Sequence, residues 1–207
     1  MALVVALLVV AQLVLPGIAA QRLRDRLARS GRVVSVHVSA FPAVELLWHQ
    51  ADEVDVHLAS YRAHTPTGLG RALGQTSQAG AVNATIDQLG TGLVTLRNVS
   101  LHKRGNVLTG RATLTDADLR AALPAGLDVQ PVASGGGKLE LRGSALGVTI
   151  YATLSAHNGA LEIAPDVPLI GGLFTLTVFN DPHIDVQGVG ASSRPGGFAV
   201  NASARLR

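Results

Sequence analysis

The sequence predicts an α+β fold: an extended antiparallel β-sheet with one amphipathic helix at its start and one or two short helices inserted. Three observations carry this reading. From Gly31 onward apolar and polar residues alternate with a period of two, the signature of half-buried strands. Turn signals such as Arg104-Gly105-Asn106, Asn158-Gly159 and Pro195-Gly196-Gly197 separate the alternating stretches, and strands joined by tight turns pair antiparallel. Ahead of them, residues 16–31 follow a helical period instead.

The chain begins "MALVVALLVVAQLVLPGIAA", twenty residues without a charged side chain. As a helix this run would span about 30 Å, the thickness of a bilayer's hydrocarbon core. Residues 1–20 are therefore expected to be a signal peptide or an N-terminal membrane anchor, and residues 21–207 a single α+β domain, a size one core can fill. Ile18-Ala19-Ala20 is an indifferent cleavage site, which leaves the uncleaved anchor open. No basic residue precedes the run and five arginines follow it, against the distribution that export favours, so the expectation includes basic residues upstream of Met1 in the gene.

Within "PGIAAQRLRDRLARSG", Ile18, Leu23 and Leu27 share one helical face among arginines, and Gly31 is the expected C-terminal stop. The helix either docks on a sheet or lies at a membrane interface. Strands follow: Val34, Val36 and Val38 alternate with polar residues, as do Val54, Val56 and Leu58. Between them, Phe41-Pro42 breaks the strand and Val44, Leu47 and Trp48 fall near one face of a short helix. Trp48 then packs on the sheet or lines an opening, and His49 points away.

Residues 65–92 are rich in Gly, Thr and Gln and are assigned to no element. Shorter strands are expected at 93–101, 107–114, 138–142, 161–163, 173–179 and 184–189. "TDADLRAALPAG" reads as a short helix capped by Thr115 or Asp116 and stopped at Pro124. The clearest strand is "LGVTIYATLSA", with Leu146, Val148, Ile150, Ala152, Leu154 and Ala156 on one face; Phe198 to Leu206 repeats the pattern.

Charged residues are 15% of the chain against a usual value of about 25%, while 47% are hydrophobic, mostly Ala, Val and Leu. The basic residues show no spread stripe with stacking aromatics, which argues against a nucleic-acid partner. Zero Cys excludes disulfides, thiolate nucleophiles and Cys-based zinc sites. There is no Gly-x-Ser-x-Gly elbow, no His-Glu-x-x-His helix and no dinucleotide-binding glycine pattern, and no cofactor is expected.

Asp52, Glu53 and Asp55 cannot all share one side of a strand. Asp181, His183 and Asp185 would, at i, i+2 and i+4, which leaves open a metal or hydrolytic site beside the plainer reading of a solvated outer face. In "PDVPLIGGLFTL", Leu169, Ile170, Leu173 and Phe174 surround a Gly-Gly pair where loops are ordinarily polar, which suggests membrane or ligand contact or a loop tucked under a helix.

The order of "FPAVELLWHQADEVDV", "LTGRATLTDADLRAALP", "NGALEIAP" and "FNDPHIDVQGV" ahead of a terminal alternating strand resembles the actinobacterial and cyanobacterial envelope family that includes the mycobacterial lipomannan elongation factor. The resemblance covers residues 15–207. It implies a long, highly curved antiparallel sheet wrapped around a helix, similar to tubular lipid-binding domains of the bactericidal/permeability-increasing type. It also implies export or membrane anchoring and binding of phospholipid, phosphatidylinositol included, with no catalytic residues to carry over. One position departs: the family usually has Gly where this chain has His49.

Together these readings make the chain a non-enzymatic envelope protein on the extracytoplasmic side, enclosing acyl chains in an apolar channel. Phe41, Leu47, Trp48, Val56, Val148, Ile150, Leu154, Leu169, Ile170, Leu173 and Phe174 are the expected lining, with Arg62 and Arg71 at the headgroup. The rival reading is a β-rich envelope scaffold for protein or glycan.

Overall fold

A computed structural model describes residues 2–40, 51–62, 79–91, 94–122, 127–145, 148–166 and 175–207, and the side chains of residues 2–14 lie outside that set. Helix α1 (Ala2–Leu27) leads into β1 (Gly31–Ser39), β2 (Ala51–Arg62), β3 (Ala79–Gly90), β4 (Thr95–Arg104) and β5 (Val107–Thr115). After α2 (Asp116–Ala122) come β6 (Leu127–Gly135), β7 (Lys138–Ala145), β8 (Val148–His157), β9 (Ala160–Pro165), β10 (Leu176–Phe179), β11 (Ile184–Arg194) and β12 (Gly197–Leu206). The expected short helix after Phe41 falls outside the described residues.

The predicted α+β class holds, as strands in a large curved open sheet with few helices. Its hydrogen bonding divides into a seven-stranded part ordered β1-β2-β3-β4-β5-β12-β11 and a five-stranded part ordered β10-β9-β8-β7-β6. Pairing is antiparallel with one exception, β2 beside β3, which is parallel. Parallel neighbours need a crossover of a dozen or more residues, and the stretch from Arg62 to Ala79 supplies that length.

α1 runs through Pro16 without a break, so the uncharged run and the arginine-rich segment form one helix. Ala19, Ala20, Leu23 and Leu27 pack on the core of the seven-stranded sheet, while Ile18, expected on that face, is exposed. Among the described residues no helix is both long and apolar enough to cross a membrane. Gly31 starts β1 rather than capping the helix: a Cβ there would collide with the Ser60 carbonyl.

The inner face of the seven-stranded sheet is built from the period-two residues. One register row crosses the whole sheet as Val38, Val54, Val82, Lys103, Leu108, Ala204 and Val186. All seven are buried. Full burial of a Val or Leu contributes about 1.5–3 kcal/mol, so this row and its neighbours supply much of the driving force for closing the sheet.

The two parts of the sheet join at β11. As the last strand of the seven, β11 has a free edge, and the hairpin tips of the five-stranded part cap it. Val189 N donates to Gly137 O and Val186 N to Gly159 O, each at 3.0 Å. These carbonyls satisfy edge donors that would otherwise invite another strand. Positive φ at Gly137 (+76°) and Gly159 (+81°) makes the tips tight enough to reach.

Candidate functional site

The five-stranded part is amphipathic across its thickness. Register places Leu139, Leu154, Ile163 and Leu176 side by side; the next row holds Pro131, Leu141, Ala152 and Pro165, and the next Val129, Gly143 and Ile150. One face is therefore apolar across β7, β8 and β9, with Ser134 of β6 at the margin of the first row. The other carries Asp128, Gln130, Glu140, Arg142, Thr153 and Glu162 and is tied by polar contacts: Gln130 Nε2 donates to Asp128 at 3.0 Å and Arg142 Nη2 to Gln130 at 3.2 Å.

Cover on the apolar face changes along the strands. At the β11 end, Ala156, Leu161 and Phe179 pack with buried Leu108, Ile184, Val186 and Ala204, so the apolar faces of the two parts meet there. Toward the start of β8 that cover is lost. Leu139 is 5% exposed, whereas Ile150 is 50% and Val148 60% exposed. A long half-apolar strand thus runs from a closed floor to an open apolar end. Such a surface matches an acyl chain, which offers no directional bonds and gains about 0.8 kcal/mol per buried methylene.

A second opening lies where α2, β6 and the start of β12 meet. It is a small space lined by Leu119, Val129 and Phe198 with Asp116, Arg120, Asp128 and Gln130 at its rim. Val129 belongs to the apolar row of Ile150, so this polar rim stands at one margin of the apolar face. α2 itself starts at a threonine cap: Thr115 Oγ1 accepts from Asp118 N at 3.1 Å, which selects Thr115 over Asp116.

Of the expected lining, Val148, Ile150 and Leu154 share the one face of β8. Val56 stands elsewhere, buried at 9% in the core of the seven-stranded sheet beside the α1 contacts. Arg62 is exposed at the end of β2, beside the α1–β1 turn, where its backbone N donates to Ser30 O at 2.9 Å. Phe41, Leu47, Trp48, His49, Arg71, Leu169, Ile170, Leu173 and Phe174 lie outside the described residues.

Asp181, His183 and Asp185 do not share a strand face. A turn at residues 182–183 precedes β11; it holds His183 against Asp181, while Asp185 takes a different partner. Asp181 is 1% exposed, and its Oδ1 accepts from His183 N at 2.9 Å with His183 Nδ1 3.2 Å away. Asp185 instead faces Arg207, at 3.6 Å. Among the described residues no group of three or more His, Asp or Glu could hold a metal ion.

Sequence reasoning missed β6, and with it Val129, Pro131 and the rim residues Asp128 and Gln130. The signal was present: Pro131 is tolerated because β6 is an edge strand, the one place in a sheet where a missing N–H costs nothing.

No curated protein and no solved structure matches the chain. A family model does, over residues 7–190, from α1 through the five-stranded part and into β11. By that match the chain belongs to the LmeA-like phospholipid-binding family.

Proposed function

We propose that this chain is a non-catalytic cell-envelope protein that holds phospholipid acyl chains on the apolar face of β7, β8 and β9. The observation that carries the reading is the loss of cover between Leu154 and Val148, on a strand whose opposite face is fully polar. An exposed apolar surface of this extent on a half-polar sheet is costly in water and is retained where it meets a partner. Family membership supplies the chemistry of that partner, a phospholipid.

On this reading the lipid tails lie across Leu141, Ile150, Ala152, Leu154 and Ile163, closed off at one end by the Leu108–Ile184 cluster. The headgroup stays toward the uncovered margin. The uncharged residues 1–20 attach the protein to a membrane on the extracytoplasmic side, phosphatidylinositol is among the lipids bound, and the role is envelope maintenance by binding or transfer.

The test is direct. The full chain, purified in mild detergent and extracted with organic solvent, is expected to release phospholipid identifiable by mass spectrometry. Protein that is empty after purification and takes up no phospholipid from vesicles would sink the proposal.

A further inference from the structure

The second unusual surface is electrostatic and lies at α1 and the β1 edge of the seven-stranded part. Residues 21–32 hold five arginines against the single acid Asp25, a local charge of +4 in a chain whose total is +3. Arg22, Arg24 and Arg26 are on α1, Arg29 is in the turn that follows, and Arg32 is in β1. All five are exposed, because Ala19, Ala20, Leu23 and Leu27 take the face of the helix that packs on the core.

The fold adds a sixth. The bond from Arg62 N to Ser30 O and the pairing of Gly31 with Tyr61 bring exposed Arg62 beside the same turn. Sequence separation hides this arginine from the cluster; strand pairing places it there. Asp25 is occupied locally, accepting from Gln21 Nε2 at 3.4 Å.

We infer that these arginines form a collar that seats the domain on an anionic phospholipid surface. Two features point to a membrane rather than to a soluble acid. Arg22, Arg24 and Arg26 sit on the same unbroken helix as the uncharged run, and Arg29 follows at its end, so whatever bilayer receives that run meets the arginines next. And the cations are arginines, weakly hydrated forks that bind phosphate through two hydrogen bonds and stay charged at any physiological pH. The inference deepens the phospholipid reading and rests on it, by naming where an anionic headgroup is met outside the apolar face.

The experiment uses the full chain with vesicles of phosphatidylcholine alone and of phosphatidylcholine mixed with phosphatidylglycerol, at low and high salt. Binding to the mixed vesicles is expected to be at least about tenfold tighter at low salt, since each basic residue at such a surface contributes about fivefold. High salt should remove the preference. Changing Arg22, Arg24, Arg26, Arg29 and Arg32 to Gln should abolish it while leaving extractable phospholipid in the protein.

Should that variant fail to fold, changing Arg22, Arg24 and Arg26 alone, all exposed on the helix, gives the same readout, with the matching Arg→Lys set retaining the preference. Equal binding to both vesicles by the unaltered chain, or a preference unmoved in the Gln variant, overturns the collar. Protein that prefers the anionic vesicles yet never carries extractable lipid overturns the apolar-face reading and leaves the collar standing.

Discussion

Arg97 on β4 and Asp118 on α2 meet at two points: Nε donates to Oδ2 at 2.6 Å and Nη2 to Oδ1 at 3.1 Å. Thr115 Oγ1 donates to the same Oδ2, also at 2.6 Å. The pair ties the short helix that rims the second opening to the seven-stranded sheet. Seven residues are too few for a helix to persist on propensity, so its position depends on such ties.

Those contacts hold the Asp118 carboxyl below its ordinary range, chiefly through the hydrogen bond from Arg97 and then that from Thr115. A depressed carboxylate stabilises the fold above its unfolded pKa and loses that contribution as pH falls through the folded value. Asp118→Asn should therefore melt at a lower temperature than the unaltered chain at neutral pH. The gap should close below the ordinary aspartate value of 3.8. Thermal melts across that range check it, and a gap independent of pH would contradict it.

Lys103 is the single charge in the buried row from Val38 to Val186. It is 1% exposed, and its Nζ donates to Ala79 O at 2.6 Å. Burial pushes its pKa below the ordinary 10.5. For a lysine shifted this way the folded state carries a penalty below the folded pKa, relieved as pH rises toward the unfolded value. Lys103→Met removes the charge but also the donor to Ala79 O, and its stability relative to the unaltered chain should fall as pH rises toward 10.5. Urea unfolding across that range checks it, and a difference independent of pH would refute the assignment.

How much of this was legible before the fold was known depended on period. β8 and β12 read correctly because their alternation is unbroken, and the turn at Asn158-Gly159 because both residues hold positive φ. β3 was invisible for the opposite reason. Its buried residues Ala79, Val82, Ile86 and Leu89 are spaced three, four and three apart, which imitates a helix face although the segment is a strand with partners on both sides. The Asp181 trio failed because a turn interrupts the assumed strand. The open end of β8 could not be foreseen, since alternation says which face is apolar and nothing about where its cover stops.

Gly188 tests the joint between the two parts of the sheet. A Cβ on Gly188 would stand 3.0 Å from Gly137 Cα, backbone that cannot swing aside. Gly188→Ala should lift the β6–β7 tip from β11, weaken the bond from Val189 N to Gly137 O, and cost about 1–3 kcal/mol. Hydrogen exchange at the Val189 amide is the local readout, expected to speed up while amides of β3 remain protected. An unchanged Val189 amide would show that the tip is held by other contacts.

Ile150 tests the apolar face itself. The residue is 50% exposed, so Ile150→Asp should cost no more than about 1–2 kcal/mol of stability and leave the fold intact. A carboxylate in the path of an acyl chain must be desolvated without a partner, and phospholipid uptake should fall at least about tenfold. Tyr151→Asp supplies the comparison. Tyr151 is the next residue along β8, similarly exposed at 49%, and alternation turns it to the polar face beside Arg142. Uptake of a fluorescent phospholipid from vesicles by the two variants separates a specific apolar seat from general surface stickiness. Equal loss in both would place the lipid elsewhere, and no loss in Ile150→Asp would remove β8 from the site.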